Sequence, residues 1–126
     1  MIFLPIRKSA EFKDISLKGE KFYSKTLILL SKATPQFYLQ DSSNKKNAKD
    51  FCRIGYTVSK AVGNAVNRNL AKRRLREIFR KLFLKYAKNH FDYVIIARKD
   101  IATADFAKIS NDLEFCLKRI HGTKKE

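Results

Sequence analysis

Apolar and polar residues follow two different periods along this chain, and the change of period marks its helices and strands. The segment SAEFKDISLKG, residues 9–19, predicts a short helix that Ser9 caps and that Gly19 ends in the left-handed conformation. The next segment, KFYSKTLILLSKA, is rich in aromatic and branched side chains. It predicts one bent strand or two short ones, and Pro35 ends it.

The middle and the later part of the chain contain further strand patterns. The segment QFYLQ, residues 36–40, could add a short strand, and the polar residues 41–50 predict a loop. Strict alternation in FCRIGYTVS, residues 51–59, predicts a strand. The unbroken apolar run from Tyr93 to Ala97 predicts a strand that is buried on both faces, as in parallel sheets.

Two longer segments have the period of a helix. Gly63 and Asn64 precede the first helix, which is predicted to run to about Lys88. Its apolar stripe spans an arc of roughly 100° and consists of Ala71, Leu75, Ile78, Phe79, Leu82 and Tyr86. Thr103 is predicted to cap the last helix and Gly122 to end it. The stripe of that helix consists of Phe106, Ile109, Leu113, Cys116, Leu117 and Ile120.

These elements occur in the order α-β-β-β-α-β-α, which predicts an α+β sandwich. We expect a four-stranded mixed sheet packed by helices. At 126 residues the chain is expected to form a single domain over residues 1–126. Its ordered core should span about residues 6–121, followed by a frayed tail at 122–126.

The charge of the chain indicates its class of partner. A formal net charge of +16 and a pI of about 10.1 favour a polyanion: nucleic acid first, an acidic membrane second and an acidic protein third. No apolar run reaches the roughly 18 residues of a membrane span, and the opening MIFLPI lacks the pattern of a signal peptide. Cys52 and Cys116 have no CxxC spacing and predict buried, reduced thiols in a cytoplasmic protein. No residues have the spacing of a metal site.

Half of the net charge lies on the first long helix. From residue 68 to 88 there are nine basic residues and only Glu77 is acidic, which gives 9 − 1 = +8. One side carries Arg68, Lys72, Arg76 and Arg80 at a spacing of four, with Asn69 and Arg73 beside them, and a second group lies toward the back at Arg74, Lys81, Lys85 and Lys88. A basic face that only meets solvent is common, but it normally has acidic residues at i±4. Like charges at this spacing cost a few tenths of a kcal/mol each, and a phosphate backbone would remove that cost. The helix therefore predicts nucleic-acid binding.

Three other functions have different requirements. A nuclease that carries its own catalytic site would need clustered carboxylates for metal ions, and Glu77, Asp92 and Asp100 are scattered. A ribosomal or other structural RNA-binding protein remains the alternative. A helix-turn-helix DNA-binding protein fits less well, because the basic helix is predicted to lie between strands.

The segment RIGYTVSKAVGNAVNRNLAKRRLREIFR, residues 53–80, resembles the signature of the bacterial ribonuclease P protein subunit. Arg68 and Asn69 match the first two residues of its Arg-Asn-Arg motif, and Lys72 and Arg73 match the basic pair that follows. The flanking segments EFKDISLKG and DYVIIARKD are also similar to that family, so the resemblance covers about residues 6–120. Leu70 replaces the second motif arginine, Ser16 and Leu30 replace frequent aromatic residues, and the loop before Phe51 is longer than usual.

The resemblance implies a left-handed βαβ crossover through the basic helix, an exception to the usual rule. It also implies a protein that is not itself catalytic and that assists a catalytic RNA subunit. That RNA uses Mg²⁺, which it binds mainly itself, to remove the 5′ leader from precursor tRNA. The implied partners are the RNA subunit and the leader, with no membrane and no stable protein partner. We expect RNA contacts at Lys60, Asn64, Arg68, Asn69, Lys72, Arg73, Arg76 and Arg80, and leader contacts at Lys8, Phe12 and Tyr56.

Overall fold

A computed structural model describes residues 2–35 and 51–120 as one sheet with helices on both of its faces. The strands are β1 (Ile2–Pro5), β2 (Glu20–Tyr23), β3 (Leu27–Ala33), β4 (Phe51–Thr57) and β5 (Phe91–Ala97). The α-helices are α1 (Ser9–Lys18), α2 (Ala65–Tyr86) and α3 (Phe106–Ile120), and short 3₁₀ turns span Lys60–Val62 and Lys99–Ala102. The short strand at 36–40, the loop at 41–50 and the tail at 122–126 were predicted in parts of the chain that lie outside the described residues.

The sheet has the strand order β1-β4-β5-β3-β2 and is mixed, as predicted. Strand β4 pairs in parallel with β1 and with β5, whereas β3 is antiparallel to both β5 and β2. The long apolar run of β5 therefore lies in the centre of the sheet, which explains why nearly all of its side chains are buried. Strands β4 and β5 with α2 between them form a βαβ unit, and the left-handedness implied for it stays a prediction.

The sheet has five strands, so the prediction of four was wrong. The additional strand β1 comes from the apolar opening of the chain, and it begins at Ile2, before the predicted start of the ordered core near residue 6. Only four residues long, it has no alternation that would distinguish a strand. Its pairing with β4 joins Ile2 to Phe51 and Pro5 to Ile54, and the amide of Ile6 extends the pairing by donating to the carbonyl of Ile54 at 3.0 Å.

The larger hydrophobic core lies between the sheet and the two long helices. The predicted stripes of α2 and α3 point into it, with Leu75, Phe79 and Leu113 fully buried. Phe106 was wrongly included in the stripe of α3, because it is the first residue of that helix and is 37% exposed. The ring of Tyr93 packs on that of Phe79, with centroids 5.8 Å apart. The two free thiols, which were predicted to be buried, also lie in this core, and burial raises the pKa of both. This core fixes the rotation of α2 and so the direction of its basic side chains.

A smaller cluster lies on the opposite face of the sheet, beneath α1. It consists of Ile6, Ile15, Leu30 and Val94, and Phe12 packs against it half-buried. Helix α1 contributes only Ile15 as a buried side chain. Hydrophobic burial therefore holds α1 much less firmly than it holds the other two helices.

The ends of α1 differ from the prediction. Lys8 occupies the N-cap position without a side-chain hydrogen bond, and Ser9 is already helical. Gly19 is extended, with φ −79°, so a left-handed conformation is not the reason for glycine there. A Cβ at this position would lie 2.7 Å from the carbonyl oxygens of Ile15 and Ser31. Glycine is needed because the chain passes closely between the helix and β3.

The ends of the other helices are also set by polar contacts. The carboxylate of Asp105, and not Thr103, caps α3 by accepting a hydrogen bond from the amide of Lys108 at 2.8 Å. Helix α2 ends at Tyr86, slightly before the predicted Lys88. The amide of Lys88 donates instead to the hydroxyl of Tyr93 at 2.7 Å, outside the helix.

One carboxylate fastens the β2–β3 hairpin to α3. The buried Asp112 accepts hydrogen bonds from the backbone amide and the hydroxyl of Thr26, at 3.1 and 2.6 Å. Lys108 pairs with the other oxygen at 3.2 Å. Burial tends to raise the pKa of Asp112, but the hydrogen bonds from Thr26 and Lys108 outweigh it and hold the pKa below its ordinary value. The carboxylate therefore stabilises the fold in its charged form.

We predict that Asp112→Ala lowers the free energy of unfolding by about 1–3 kcal/mol, because it leaves two buried donors of Thr26 without an acceptor. Asp112→Asn keeps one acceptor oxygen and should lose less. Since the pKa is lowered in the folded protein, the stabilisation is complete above the unfolded value of about 3.9 and is lost as the pH falls below it. Urea denaturation of wild type and Asp112→Asn between pH 7 and pH 3 checks this, and a difference that does not narrow in acid contradicts it.

Candidate nucleic-acid interface

The direction of the basic side chains follows from how α2 begins and what it buries. The side-chain oxygen of Asn64 accepts a hydrogen bond from the amide of Asn67 at 2.9 Å and so caps the helix. From there the buried positions Ala71, Leu75 and Ile78 hold one side of the helix against the sheet. The side chains between them are left along the two flanks and the outer surface of α2.

A groove of about 390 Å³ separates one flank of α2 from the edge of the sheet formed by β1 and β4. Its floor is mainly apolar and aromatic, and its helical wall is basic. The floor consists of Phe3, Pro5, Ile6, Ile54, Gly55 and Tyr56, and the wall of Lys72, Arg76 and Arg80. An apolar floor with cations on one side can hold a base against the strands while the phosphates meet the guanidinium groups.

Tyr56 links the floor of this groove to its basic wall. Burial raises the pKa of its hydroxyl to about 12, and the positive charges of Arg76 and Arg80 partly oppose that shift. The hydroxyl therefore stays protonated at neutral pH and can donate a hydrogen bond. Tyr56, Arg76 and Arg80 line the same groove, so two predicted RNA contacts and one predicted leader contact share it.

A second, smaller groove continues toward the start of α2. It has a volume of about 220 Å³ and is lined by Val58, Ala65, Arg68, Asn69 and Lys72. Lys72 lines both grooves, which makes them neighbours along the helix. Arg68 is half-buried here, and its Nε has no hydrogen-bond acceptor within the described part of the chain. Its guanidinium thus lies in the groove with an N–H group that can donate a hydrogen bond to a ligand.

The remaining predicted RNA-binding residues are not among those that line the two grooves. Arg73 is exposed on the outer side of α2, and Lys60 is exposed on the 3₁₀ turn before the helix. Asn64 already uses its side-chain oxygen as the helix cap. Leu70, which stands in the place of the second motif arginine, is half-buried and belongs to neither hydrophobic cluster.

Of the two other predicted leader-binding residues, Phe12 lies on α1 and Lys8 is the N-cap residue that precedes it. Lys8 is exposed at the first turn. The ring of Phe12 lies directly on the backbone of Gly55, where an added Cβ would be 2.7 Å from two ring carbons. Phe12 therefore packs on β4 and still keeps part of its surface open to solvent. The nearby Ser16 is half-buried, whereas Leu30 is 2% exposed within the smaller cluster and offers almost no surface.

The contribution of β1 to the groove was not predicted from the sequence. Phe3 and Pro5 were part of an apolar opening to which no strand was assigned, so no site residue was expected there. The ring of Phe3 also packs edge-on against that of Phe79, with centroids 5.7 Å apart, which connects the floor of the groove to the larger core. The only available signal was that apolar opening itself, and it is shared by many edge strands.

A buried ionic network between α1 and the sheet was also not predicted. Arg53 of β4 pairs through one terminal nitrogen with Glu11 at 2.8 Å and through Nε with Asp92 at 3.4 Å. Asp92 accepts a further hydrogen bond from the hydroxyl of Thr34 at 2.9 Å. Burial raises the pKa of Asp92, and Arg53 and Thr34 oppose that rise. The periodicity of a single strand cannot reveal these contacts, because the partners lie on three different elements.

The acidic side chains of the described residues mostly serve as partners of basic ones. Asp14 pairs with Lys18 and Lys32, and Asp100 pairs with Lys25. Over residues 2–35 and 51–120, no group of three or more His, Cys, Asp and Glu side chains could hold a metal ion. Within those same ranges no helix is long and apolar enough to cross a membrane.

Comparison with known proteins identifies a family for the whole described fold. Residues 4–121 match the model of a family described as Ribonuclease P. The ribonuclease P protein component of Paramagnetospirillum magneticum is 36% identical over 120 residues, which cover 95% of this chain and 84% of the relative. The ribonuclease P protein component of Gluconacetobacter diazotrophicus is 37% identical over 114 residues, which cover 90% and 88%.

Solved structures agree with the sequence comparison. The RNase P protein of Staphylococcus aureus superimposes with a TM-score of 0.72 at 30% identity, over 92% of this chain and 94% of that protein. The RNase P protein of Thermotoga maritima gives a TM-score of 0.72 at 27% identity, over 91% and 96%. The predicted α+β fold is confirmed by these likenesses, with five strands in place of four. The chain belongs to the ribonuclease P protein component family.

Proposed function

We propose that this protein is the RNA-binding subunit of ribonuclease P and assists a catalytic RNA in removing the 5′ leader of precursor tRNA. Membership of the family supports this function. The structural observation that carries it is the basic wall of α2, on which Lys72, Arg76 and Arg80 face an aromatic floor. A long, open, positively charged groove of this kind fits the backbone of a nucleic acid better than it fits a small molecule.

The RNA subunit is the partner that the α2 flank suits best. Arg68, Lys72, Arg76 and Arg80 recur every four residues, so their charges follow the helix axis in a row about 6 Å apart. Phosphates along an RNA strand have a similar spacing, and each arginine can donate two parallel hydrogen bonds to one phosphate. Neutralising this row would also relieve the repulsion between neighbouring cations on the helix.

The leader is the second partner of this proposal, and it would bind near Lys8, Phe12 and Tyr56. The ring of Phe12 packs on Gly55, and Tyr56 is the next residue in the chain and lines the groove. Unpaired bases stack on aromatic rings without strong sequence preference, which suits a leader of variable sequence. Lys8 is exposed one turn of helix before Phe12 and could neutralise a leader phosphate.

The chemistry of the reaction would belong to the RNA, together with Mg²⁺ that the RNA binds. The protein would contribute affinity and would offset the repulsion between two polyanions that meet at its surface. Its own carboxylates, such as Glu11, Asp14 and Asp112, are held in ion pairs with basic side chains. The proposed place of action is the cytoplasm, and the two buried free thiols are compatible with its reducing conditions.

We predict that the protein alone does not cleave precursor tRNA in the presence of Mg²⁺. Together with the ribonuclease P RNA of the same organism it should release the mature 5′ end, and it should do so at a lower Mg²⁺ concentration than the RNA alone. A gel assay with the four combinations of protein and RNA subunit measures this. Cleavage by protein alone would refute the division of labour, and a protein without any effect on the RNA would favour a structural RNA-binding protein.

The two flanks of α2 allow a comparison of two variants that each remove three positive charges. We predict that the triple variant Lys72→Ala, Arg76→Ala and Arg80→Ala weakens binding of the RNA subunit. It should also make the slope of log affinity against log salt shallower by roughly 2 units, because up to three phosphate contacts are lost. The matched control Arg74→Ala, Lys81→Ala and Lys85→Ala removes the same charge from the other flank and should change binding much less. Equal effects of the two triple variants would mean that net charge alone decides binding.

A leader contact at Phe12 predicts an effect that depends on leader length. Phe12→Ala should weaken binding of precursor tRNA with a long leader by about tenfold, since stacking on one base contributes roughly 1–3 kcal/mol. Binding of a substrate with a one-nucleotide leader should change little. Affinities for both substrates and the melting temperature are measured together. Equal losses on both substrates with a lower melting temperature would show that Phe12 serves only the smaller hydrophobic cluster.

A further inference from the structure

Helix α1 and its N-cap residue carry two of the proposed leader contacts, yet few buried groups hold the helix in place. It has ten residues, and a helix of this length is marginal in water without tertiary contacts. Ile15 is its one buried side chain, and Phe12 is half-buried. The position of α1 on the sheet therefore depends strongly on its remaining contacts, which are polar.

The strongest of these polar contacts is the ion pair between Glu11 and Arg53. The guanidinium of Arg53 is almost inaccessible, with its side chain 6% exposed, and Glu11 is 22% exposed. The distance of 2.8 Å is that of a charge-assisted hydrogen bond. Arg53 is held from the other side by Asp92, which is 3% exposed and lies on the neighbouring strand β5. The guanidinium is thus fixed to the sheet through Nε and pairs with α1 through a terminal nitrogen.

A second ionic contact of α1 is of a different kind. Asp14 pairs with Lys18 and Lys32 at 3.2 and 3.3 Å, and its side chain is 38% exposed, against 22% for Glu11. Lys18 is 69% exposed and Lys32 is 23% exposed, so neither partner is buried as Arg53 is at 6%. Pairs that are open to solvent contribute little to stability. Asp14 therefore provides a natural comparison for Glu11 on the same helix, one turn further along.

The pairing of residues between α1 and β4 shows what the buried ion pair controls. Arg53 and Gly55 lie two positions apart on β4 and so on the same face of the sheet. The consecutive residues Glu11 and Phe12 contact these two positions in turn, the carboxylate at Arg53 and the ring at Gly55. A shift of α1 along the strand would break both contacts at once, so the ion pair sets where the ring of Phe12 lies.

We propose that Arg53 is a positioning residue for leader binding: by holding Glu11 it fixes α1 on β4 and keeps the ring of Phe12 on Gly55. This inference rests on the leader contact given under the proposed function. Arg53 itself is buried and touches no RNA. Its contribution passes through α1, and without it the ring of Phe12 would lie at variable depth beside the groove.

The experiment compares Glu11→Ala with Asp14→Ala, which makes the same kind of change at an exposed pair. Affinity is measured for precursor tRNA with a long leader, for the substrate with a one-nucleotide leader, and for the RNA subunit. Glu11→Ala should lose about tenfold on the long leader, comparable to Phe12→Ala, and little elsewhere. Asp14→Ala should stay within about twofold on all three. Glu11→Gln retains an acceptor oxygen for Arg53 and should bind the long leader more tightly than Glu11→Ala. This variant keeps the test valid if Glu11→Ala is unstable.

A double-mutant cycle shows whether Glu11 acts through Phe12. If it does, Glu11→Ala combined with Phe12→Ala should bind the long leader no more weakly than Phe12→Ala alone. Additive losses would overturn the proposal, because they would mean that Glu11 has an independent effect on the leader. Equal losses of Glu11→Ala on both substrates, in step with a lower melting temperature, would also overturn it and leave Arg53 with a purely structural role.

The position of the ring can be measured without any RNA. Because the ring of Phe12 packs on Gly55, it should shift the NMR signals of the Gly55 Hα protons in the free protein. Glu11→Ala should move these signals toward their values in Phe12→Ala. Unchanged Gly55 signals in Glu11→Ala overturn the positioning role alone. A Phe12→Ala variant that shows no selective loss on the long leader overturns the proposed leader contact instead, so the two failures are distinguishable.

Discussion

Burial of the apolar stripe of α2 against β4 and β5 is the constraint on which the rest of the molecule depends. Leu75 and Phe79 are fully buried, and Phe79 packs on Tyr93 at the centre of the sheet. This packing leaves the helix one rotational setting, and each basic side chain acquires its direction from it. Arg76 and Arg80 then face the sheet edge, whereas the second basic group lies on the other flank. Affinity for a polyanion is thus a consequence of core packing.

The concentration of positive charge on α2 opposes the stability of the same helix. Nine basic residues stand against one acidic residue over positions 68–88, and four pairs of basic residues at i,i+4, namely 68/72, 72/76, 76/80 and 81/85, repel each other. Packing of the larger core offsets this repulsion in the free protein, and bound phosphates would remove it in the complex. The smaller cluster under α1 buries much less apolar surface than the larger core. A buried ion pair, and not apolar area, therefore determines the position of that helix.

Periodicity predicted most of this fold, and its failures have physical causes. Apart from the exposed Phe106, the stripes of α2 and α3 and the buried run of β5 were predicted correctly, because burial imposes the period in each case. Strand β1 was missed since its partner is supplied by a distant segment and four residues carry no readable period. Gly19 was correctly taken as the end of α1 but for the wrong reason, because the close approach of Ser31 is a tertiary contact. Local patterns cannot reveal such contacts.

At the site, too, local features could be predicted from the sequence and tertiary contacts could not. The basic face of α2 could be predicted, since charge and helical spacing are properties of one segment, and Lys72, Arg76 and Arg80 do share a groove. The floor of the groove and the link between Arg53 and α1 could not be predicted, because they join segments far apart in the chain.

Strand β1 illustrates what such distant pairing means for folding. Its partner residues Ile2 and Phe51 are 49 positions apart, from 2 to 51, and β4 must in turn find β5. Such non-local pairings form slowly, so the groove should be among the last features of the chain to be completed during folding.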